Sequence, residues 1–231
     1  MILQTMNDEE KTFEVFRVHD CIFQIAREEE KAIIDRFRRG NRFPYFNRIA
    51  WTDDKANKWY ITFMCKSKKD AKIGKFYILA YTIYEIQKKG KTERGIIGFD
   101  PYAMKRRVNS DSTGAVFWDF VPHAFDRYTE RYLKPRDLQD IEFMAKVENI
   151  ISRWWHFDIE GDKSSKKHTD KGFCPYDIYM HGGGMFRGTF VSNLLIRFFT
   201  YVADDMLFKE QRERQTKINR ERFKFKKDGV Y

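Results

Sequence analysis

Three cysteines in 231 residues, Cys21, Cys65 and Cys174, are odd in number and widely spaced. They make neither a disulfide framework nor a CxxC metal site, and they fit a reducing cytosol. No apolar run approaches the ~20 residues that span a bilayer. The stretch Met1–Lys11 lacks the apolar core of a signal peptide. The expected location is therefore the cytoplasm, with no membrane partner. There is no self-similarity at a period of ~20–50 residues, which excludes a solenoid. No HExxH or HxxxH spacing occurs, and the glycine run Gly182-Gly183-Gly184 lacks the Gly-Lys-Ser/Thr of a P-loop. His123, His156, His168 and His181 are scattered, and His168 sits among lysines that repel a cation. No metal or other cofactor is expected.

What the chain does have is charge and aromatics. It carries 44 Lys+Arg against 34 Asp+Glu, a formal net charge of +10, with 22 Phe and 17% aromatic residues. A hydrophobic fraction of 42% excludes wholesale disorder. Excess positive charge with many aromatics points first to a polyanion, and so to nucleic acid.

The pattern reads as α+β. Asp8 to Arg39 recurs at helical spacing and Gly40 stops it. Asn41 to Asp54 reads as a loop. Lys58–Cys65 and Phe76–Ile86 read as antiparallel strands joined by a charged turn, and Lys89-Gly90-Lys91 turns into a third strand, Gly95–Phe99. Asp100-Pro101 breaks that strand, and Met104–Gly114 reads as a polar loop. Ala115–Phe120 is a short strand. Pro122 opens a helix to Leu133, its missing N–H costing nothing in the first turn. Pro135 ends it, and Asp137 caps a second helix with Leu138, Ile141, Met144, Val147, Ile150 and Ile151 as the buried stripe. After a polar loop at Gly161–Gly172 come three strands: Cys174–His181, Met185–Val191 and Leu194–Val202. Gly182-Gly183-Gly184 reads as a hairpin turn rather than a phosphate loop. The expected organisation is an N-terminal region of helices and a small antiparallel sheet over 1–114. A strand–helix–helix unit with a three-stranded antiparallel sheet comes next over 115–206, then a basic helix or arm over 207–231.

Chemistry concentrates in Pro122-His123-Ala124-Phe125-Asp126-Arg127-Tyr128-Thr129-Glu130-Arg131. On an α-helix, His123, Arg127, Glu130 and Arg131 fall within roughly 100° of arc, opposite an apolar face of Phe125, Tyr128 and Tyr132. Like charges at i,i+4, such as Arg127 and Arg131, repel unless an anion lies between them. Glu130 or a phosphate can be that anion. His123 sits in the first turn, where the helix N-terminus disfavours an imidazolium. A neutral histidine beside two guanidinium groups has the parts to take a proton from a ribose hydroxyl while the scissile phosphate is held.

The run His-Ala-x-x-Arg-x-x-Glu-Arg, with a helix opening Asp-Leu-x-Asp-Ile after it, resembles a bacterial and phage domain family grouped with RelE- and BrnT-like toxins. These are metal-independent RNases of the barnase–colicin–RelE type. Tyr132-Leu133 stands where that family has Gly-Ile. The resemblance covers about Ala115 to Met206 and implies a metal-independent endoribonuclease, or a degenerate relative, with His123, Arg127 and Arg131 in the site. It makes RNA rather than DNA the expected polymer, and an antitoxin a possible partner.

Strand alternation puts Arg197, Phe199 and Tyr201 on one face, so Arg197 and Tyr201 are expected to support the transition state. Lys163, Lys166, Lys167 and Lys171, with Arg187, are expected phosphate contacts. Whether the chain is an enzyme stays open at this point. The alternative is a non-catalytic nucleic-acid-binding or phage-assembly protein working with a phage or host partner. A metal-dependent nuclease is a third reading, separable by chelator.

Overall fold

The computed structural model describes residues 6–108, 117–134, 142–154, 159–161, 175–180, 183–192 and 194–217. The protein is α+β and divides into two compact units. The first comprises residues 1–122 and 190–197, the second 123–189 and 198–231.

The first unit is built on helix α1 (Asp8–Arg39). Its start is fixed by a capping box: Asn7 Oδ1 accepts from Glu10 N at 2.9 Å, and Glu10 Oε2 accepts from Asn7 N at 2.7 Å. Val15, Val18, Ile22, Ala26, Ile33 and Phe37 form its buried stripe. They pack in one core with Trp59, Ile61, Phe63, Ile97, Phe99, Phe117 and Leu195 from the sheet.

That sheet runs β1 (Tyr45–Thr52), β2 (Lys58–Cys65), β3 (Tyr77–Lys88), β4 (Lys91–Phe99) and β5 (Phe117–Phe120). Every one of these neighbouring pairs is antiparallel. Next to β5 lie Leu195–Arg197, the opening residues of β9 (Leu195–Val202). Strand β5, expected at the start of the second domain, pairs with β4 from Ile96↔Phe120 to Phe99↔Phe117 and so belongs here.

Three stretches differ from expectation. Residues 45–52 are a strand, not a loop; among the described residues β1 pairs with β2 alone, at the end of the strand order, so half of it is wet and its polar Asn47 and Arg48 hide the alternation. The charged turn after β2 contains a short helix, α2 (Lys68–Lys72), capped by Ser67. The region expected to be looped from Met104 begins as helix α3 (Pro101–Val108). Asp100 Oδ1 accepts from Tyr102 N at 2.8 Å and Ala103 N at 2.9 Å, so the residue that ends a strand also caps a helix. Met104 is fully buried.

An ion cluster built on two buried carboxylates, Glu14 and Asp53, ties α1 to the β1–β2 turn. Arg17 Nη2 reaches Glu14 Oε2 at 2.9 Å and Asp53 Oδ2 at 2.6 Å, and Lys55 Nζ pairs with Glu14. Asp53 also accepts from Asn57 N at 2.8 Å, Asn57 Nδ2 at 2.9 Å and Trp59 Nε1 at 3.3 Å. Burial pushes the Glu14 carboxyl up, but bonds from Lys55 and Arg17 outweigh it and hold it below its ordinary 4.5. Burial also raises Asp53, and Asn57, Arg17 and Trp59 bring it below 3.8. A carboxylate depressed in the fold stabilises fully above its unfolded pKa and loses that contribution as pH falls through the folded one. Thermal midpoints should therefore be flat above pH ~4.5 and fall progressively below it. Asp53→Asn should flatten that acid limb, and an unchanged limb would show that the cluster is not its source.

The second unit contains helix α4 (Pro122–Tyr128), of which His123–Tyr128 belong to it, a π turn over Thr129–Leu133, and helix α5 (Phe143–Trp154). Its strands are β6 (Ile159–Gly161), β7 (Pro175–Tyr179), β8 (Met185–Phe190) up to Thr189, and the part of β9 from Phe198 on. They lie in the order β9-β8-β7-β6. Between β7 and β8, Met180 N donates to Gly184 O at 2.9 Å and Gly183 N to Met180 O at 3.3 Å. A helix over 209–217, α6, comes after β9. The expected helix start at Asp137, with Leu138 and Ile141, lies outside the described residues; Val147, Ile150 and Ile151 are buried as expected. Among the described residues no helix is long and apolar enough to cross a membrane.

Candidate functional site

The helix expected from Pro122 to Leu133 changes its winding at Thr129. Thr129 is buried, and its hydroxyl donates back to Phe125 O at 2.8 Å. Lys134, in the left-handed region at φ 45°, donates its N–H to Thr129 O at 3.0 Å, five residues back. A π turn adds a residue to the local winding and rotates the side chains beyond it, and such turns cluster at functional sites. It breaks the predicted stripe. Arg127 and Arg131 meet different acceptors, Glu130 and the Tyr201 carbonyl.

His123 and Arg127 stay on the surface. Arg127 Nε donates to His123 Nε2 at 3.3 Å, and Arg127 Nη1 pairs with Glu130 Oε2 at 2.7 Å. Glu130 is thus the anion that Arg127 meets.

Arg131 turns elsewhere. Its guanidinium donates to the carbonyl of Tyr201, and it lines a cleft of about 590 Å³ with Lys134, Tyr132, Tyr201 and Arg212. Neither His123 nor Arg127 lines that cleft. Two acids, Asp204 and Asp205, also line it. Asp204 Oδ1 is engaged by the Gln215 amide nitrogen at 2.6 Å, with that amide oriented so that its oxygen accepts from Gly184 N at 3.1 Å. The Asp205 carbonyl accepts from Arg212 at 2.9 Å.

Behind the cleft is an aromatic cage that spacing and composition did not reveal. The Arg153 guanidinium carbon lies 3.5 Å from the Tyr132 ring centre and 5.5 Å from that of Tyr128. Arg153 donates to the Tyr128 hydroxyl at 2.9 Å and to Gly183 O at 2.5 Å. Planar delocalised charge over the face of Tyr132, which itself stacks on Tyr128 at 5.2 Å, is a favourable burial for arginine. The available signal was its spacing: Arg153 lies three residues after Ile150 and so on the buried face of α5. Tyr201 completes the cage, its ring edge-on to Tyr128 at 5.0 Å and its hydroxyl donating to Gly183 O at 3.0 Å. Burial pushes the Tyr201 phenol up, which favours the protonated form that donates to Gly183 O.

Other expected contacts have different partners. Arg197 was expected beside Tyr201. Its Nε donates instead to Asp119 Oδ2 at 2.9 Å, and its Nη2 pairs with Asp8, both in the first unit. Arg187 grips Asp177 with both arms, Nε to Oδ1 at 3.0 Å and Nη2 to Oδ2 at 2.9 Å. The two are directly cross-strand on β7 and β8, and Asp177 is buried, so the fork that would suit a phosphate holds a carboxylate. Lys163, Lys166, Lys167 and Lys171 lie outside the described residues. Among the described residues no group of three metal-ligating side chains comes together.

Of the five residues expected to form a catalytic centre, Arg131 and Tyr201 meet in the cleft. Lys134, which no sequence motif singled out, and Arg212, from the basic C-terminal segment Lys209–Lys227 expected to contact phosphate, join them there. No protein-family model, no curated protein and no solved structure matches the chain, so the site is read from its own chemistry.

Proposed function

We propose that the second unit binds nucleic acid, RNA before DNA, through the cleft between the π turn and α6, without catalysing its cleavage. The observation that carries this is the convergence of Arg131, Lys134 and Arg212 on one cleft, with Asp204 already engaged by Gln215. Three cations on a chain with net charge +10 supply phosphate affinity that does not depend on sequence. The preference for RNA rests on the family resemblance of the His-Ala-x-x-Arg-x-x-Glu-Arg run.

The test is fluorescence anisotropy of a labelled 12-nucleotide RNA over a salt series. The triple variant Arg131→Ala, Lys134→Ala, Arg212→Ala should bind weakly, with its slope of log K against log[salt] shallower by roughly two. Equal affinity and slope would reject the cleft as the binding surface. A second reading, metal-independent cleavage of the bound strand, is favoured by one feature: His123 is exposed with Arg127 and Glu130 beside it. The same mixtures, held with chelator and resolved on a gel, decide it. Fragments made by the wild type and not by His123→Ala would establish the ribonuclease.

A further inference from the structure

We propose that the polymer taken up is single-stranded, and that Phe208 is the platform on which one of its bases stacks. This rests on the nucleic-acid reading above and names its substrate class. Phe208 is 74% exposed and Met206 50% exposed, yet Leu207 between them is buried against Tyr179 and Met185. The Phe208 backbone is held: its N–H donates to Gln211 Oε1 at 2.9 Å, and its carbonyl accepts from Arg212 N at 3.0 Å in the first turn of α6. The ring is therefore presented to solvent from a fixed point.

A lone exposed phenyl ring is ordinary. What sets this one apart is its surroundings. Residues 203–214 supply walls to two clefts. One holds Arg131, Lys134 and Arg212; the other, of about 470 Å³, is lined by Phe208, Lys209 and Arg214. Glu210 lines the second cleft too, and its Asp177 is already taken by Arg187. An exposed aromatic is thus borne by the segment that connects two groups of cations.

A single strand presents the complement, with phosphates for the cations and an unstacked base for the ring. In a duplex the bases are stacked on one another and leave the ring nothing to receive. Every base has a π face, so the contact is tolerant of sequence.

The experiment compares wild type, Phe208→Ala and Phe208→Trp on three labelled probes of equal length: single-stranded RNA, an abasic strand and an RNA duplex. Phe208→Ala should lose roughly five- to 150-fold in affinity for the single strand. It should match the wild type on the abasic strand and the duplex, and Phe208→Trp should keep or improve single-strand binding. An unchanged single-strand affinity in Phe208→Ala would overturn the inference, as would an equal loss on the abasic strand or the duplex. The nucleic-acid reading would survive either result if the triple cation variant still bound weakly. If the wild type binds none of the three probes, both fall. Because the ring is exposed, circular dichroism of Phe208→Ala should match the wild type.

Discussion

Arg197→Ala should lower the stability of the protein by about 3 kcal/mol and leave RNA affinity unchanged in the folded fraction. The reason lies in Asp119, which is fully buried in the first unit. Its carboxylate accepts from Arg197 Nε at 2.9 Å and from the Tyr84 hydroxyl at 2.7 Å, and Lys11 Nζ lies at 3.5 Å. Burial and the neighbouring carboxylate push the Tyr84 phenol well up, so it stays a donor. Removing one partner of a buried pair costs roughly 3–5 kcal/mol, because the remaining charge is left in a poor solvent. Lys11 softens the loss and sets the value at the lower end. Urea unfolding monitored by circular dichroism measures it. The pair Asp119→Leu with Arg197→Met should recover much of the loss, since no charge is then stranded. A shift below about 1 kcal/mol in Arg197→Ala would mean that water reaches Asp119 and solvates it.

That arginine also shows where sequence reading stops. Alternation placed Arg197 and Tyr201 on one face of β9, and period-2 patterning is local information. Which side chain takes up a charge is decided by residues far along the chain, Asp8 and Asp119 for Arg197. Local signals did serve where one segment carries the whole cause. The helical spacing from Asp8 and the stop at Gly40 set both ends of a 32-residue helix, and β2 runs over the expected Lys58–Cys65. Asp100 was legible as a strand breaker, but its second role as a helix cap was masked by the proline beside it. The winding change at Thr129 left no pattern to read, because it depends on a hydroxyl choosing Phe125 O and on Lys134 accepting a left-handed backbone. With it went the stripe that made His123, Arg127 and Arg131 look like one site. Arg131 lines the cleft, but its neighbours there, Lys134 and Arg212, come from separate elements that no spacing rule connects.

Gly184→Ala should be the most damaging small change in the second unit, at about 3 kcal/mol, and should weaken RNA binding as well. Two costs combine. Gly184 sits at φ +73°, where an alanine pays roughly 1–2 kcal/mol for its Cβ. That Cβ would also meet Val202 O at 2.8 Å and Tyr201 Cζ at 2.5 Å, with the Tyr201 hydroxyl closer still. The phenol cannot retreat, because Tyr128 and Phe186 hold its ring at 5.0 and 5.1 Å. Overlap in a packed core adds about 1–3 kcal/mol. Gly183→Ala is the control. Its backbone is also left-handed, at φ +106°, but its nearest neighbour is Asp204 Cβ at 3.3 Å, so only the backbone cost applies in full. Thermal or urea unfolding should rank Gly184→Ala well below Gly183→Ala, and equal losses would mean that Tyr201 yields. Adding Tyr201→Phe to Gly184→Ala removes the closest atom of the overlap, so the double variant should be less destabilised than the sum of the two single changes. Because Tyr201 and Gly183 both line the cleft, displacing the phenol moves the wall that Arg131 is bonded to. The loss of RNA affinity in Gly184→Ala, measured well below its unfolding midpoint, should therefore exceed that in Gly183→Ala.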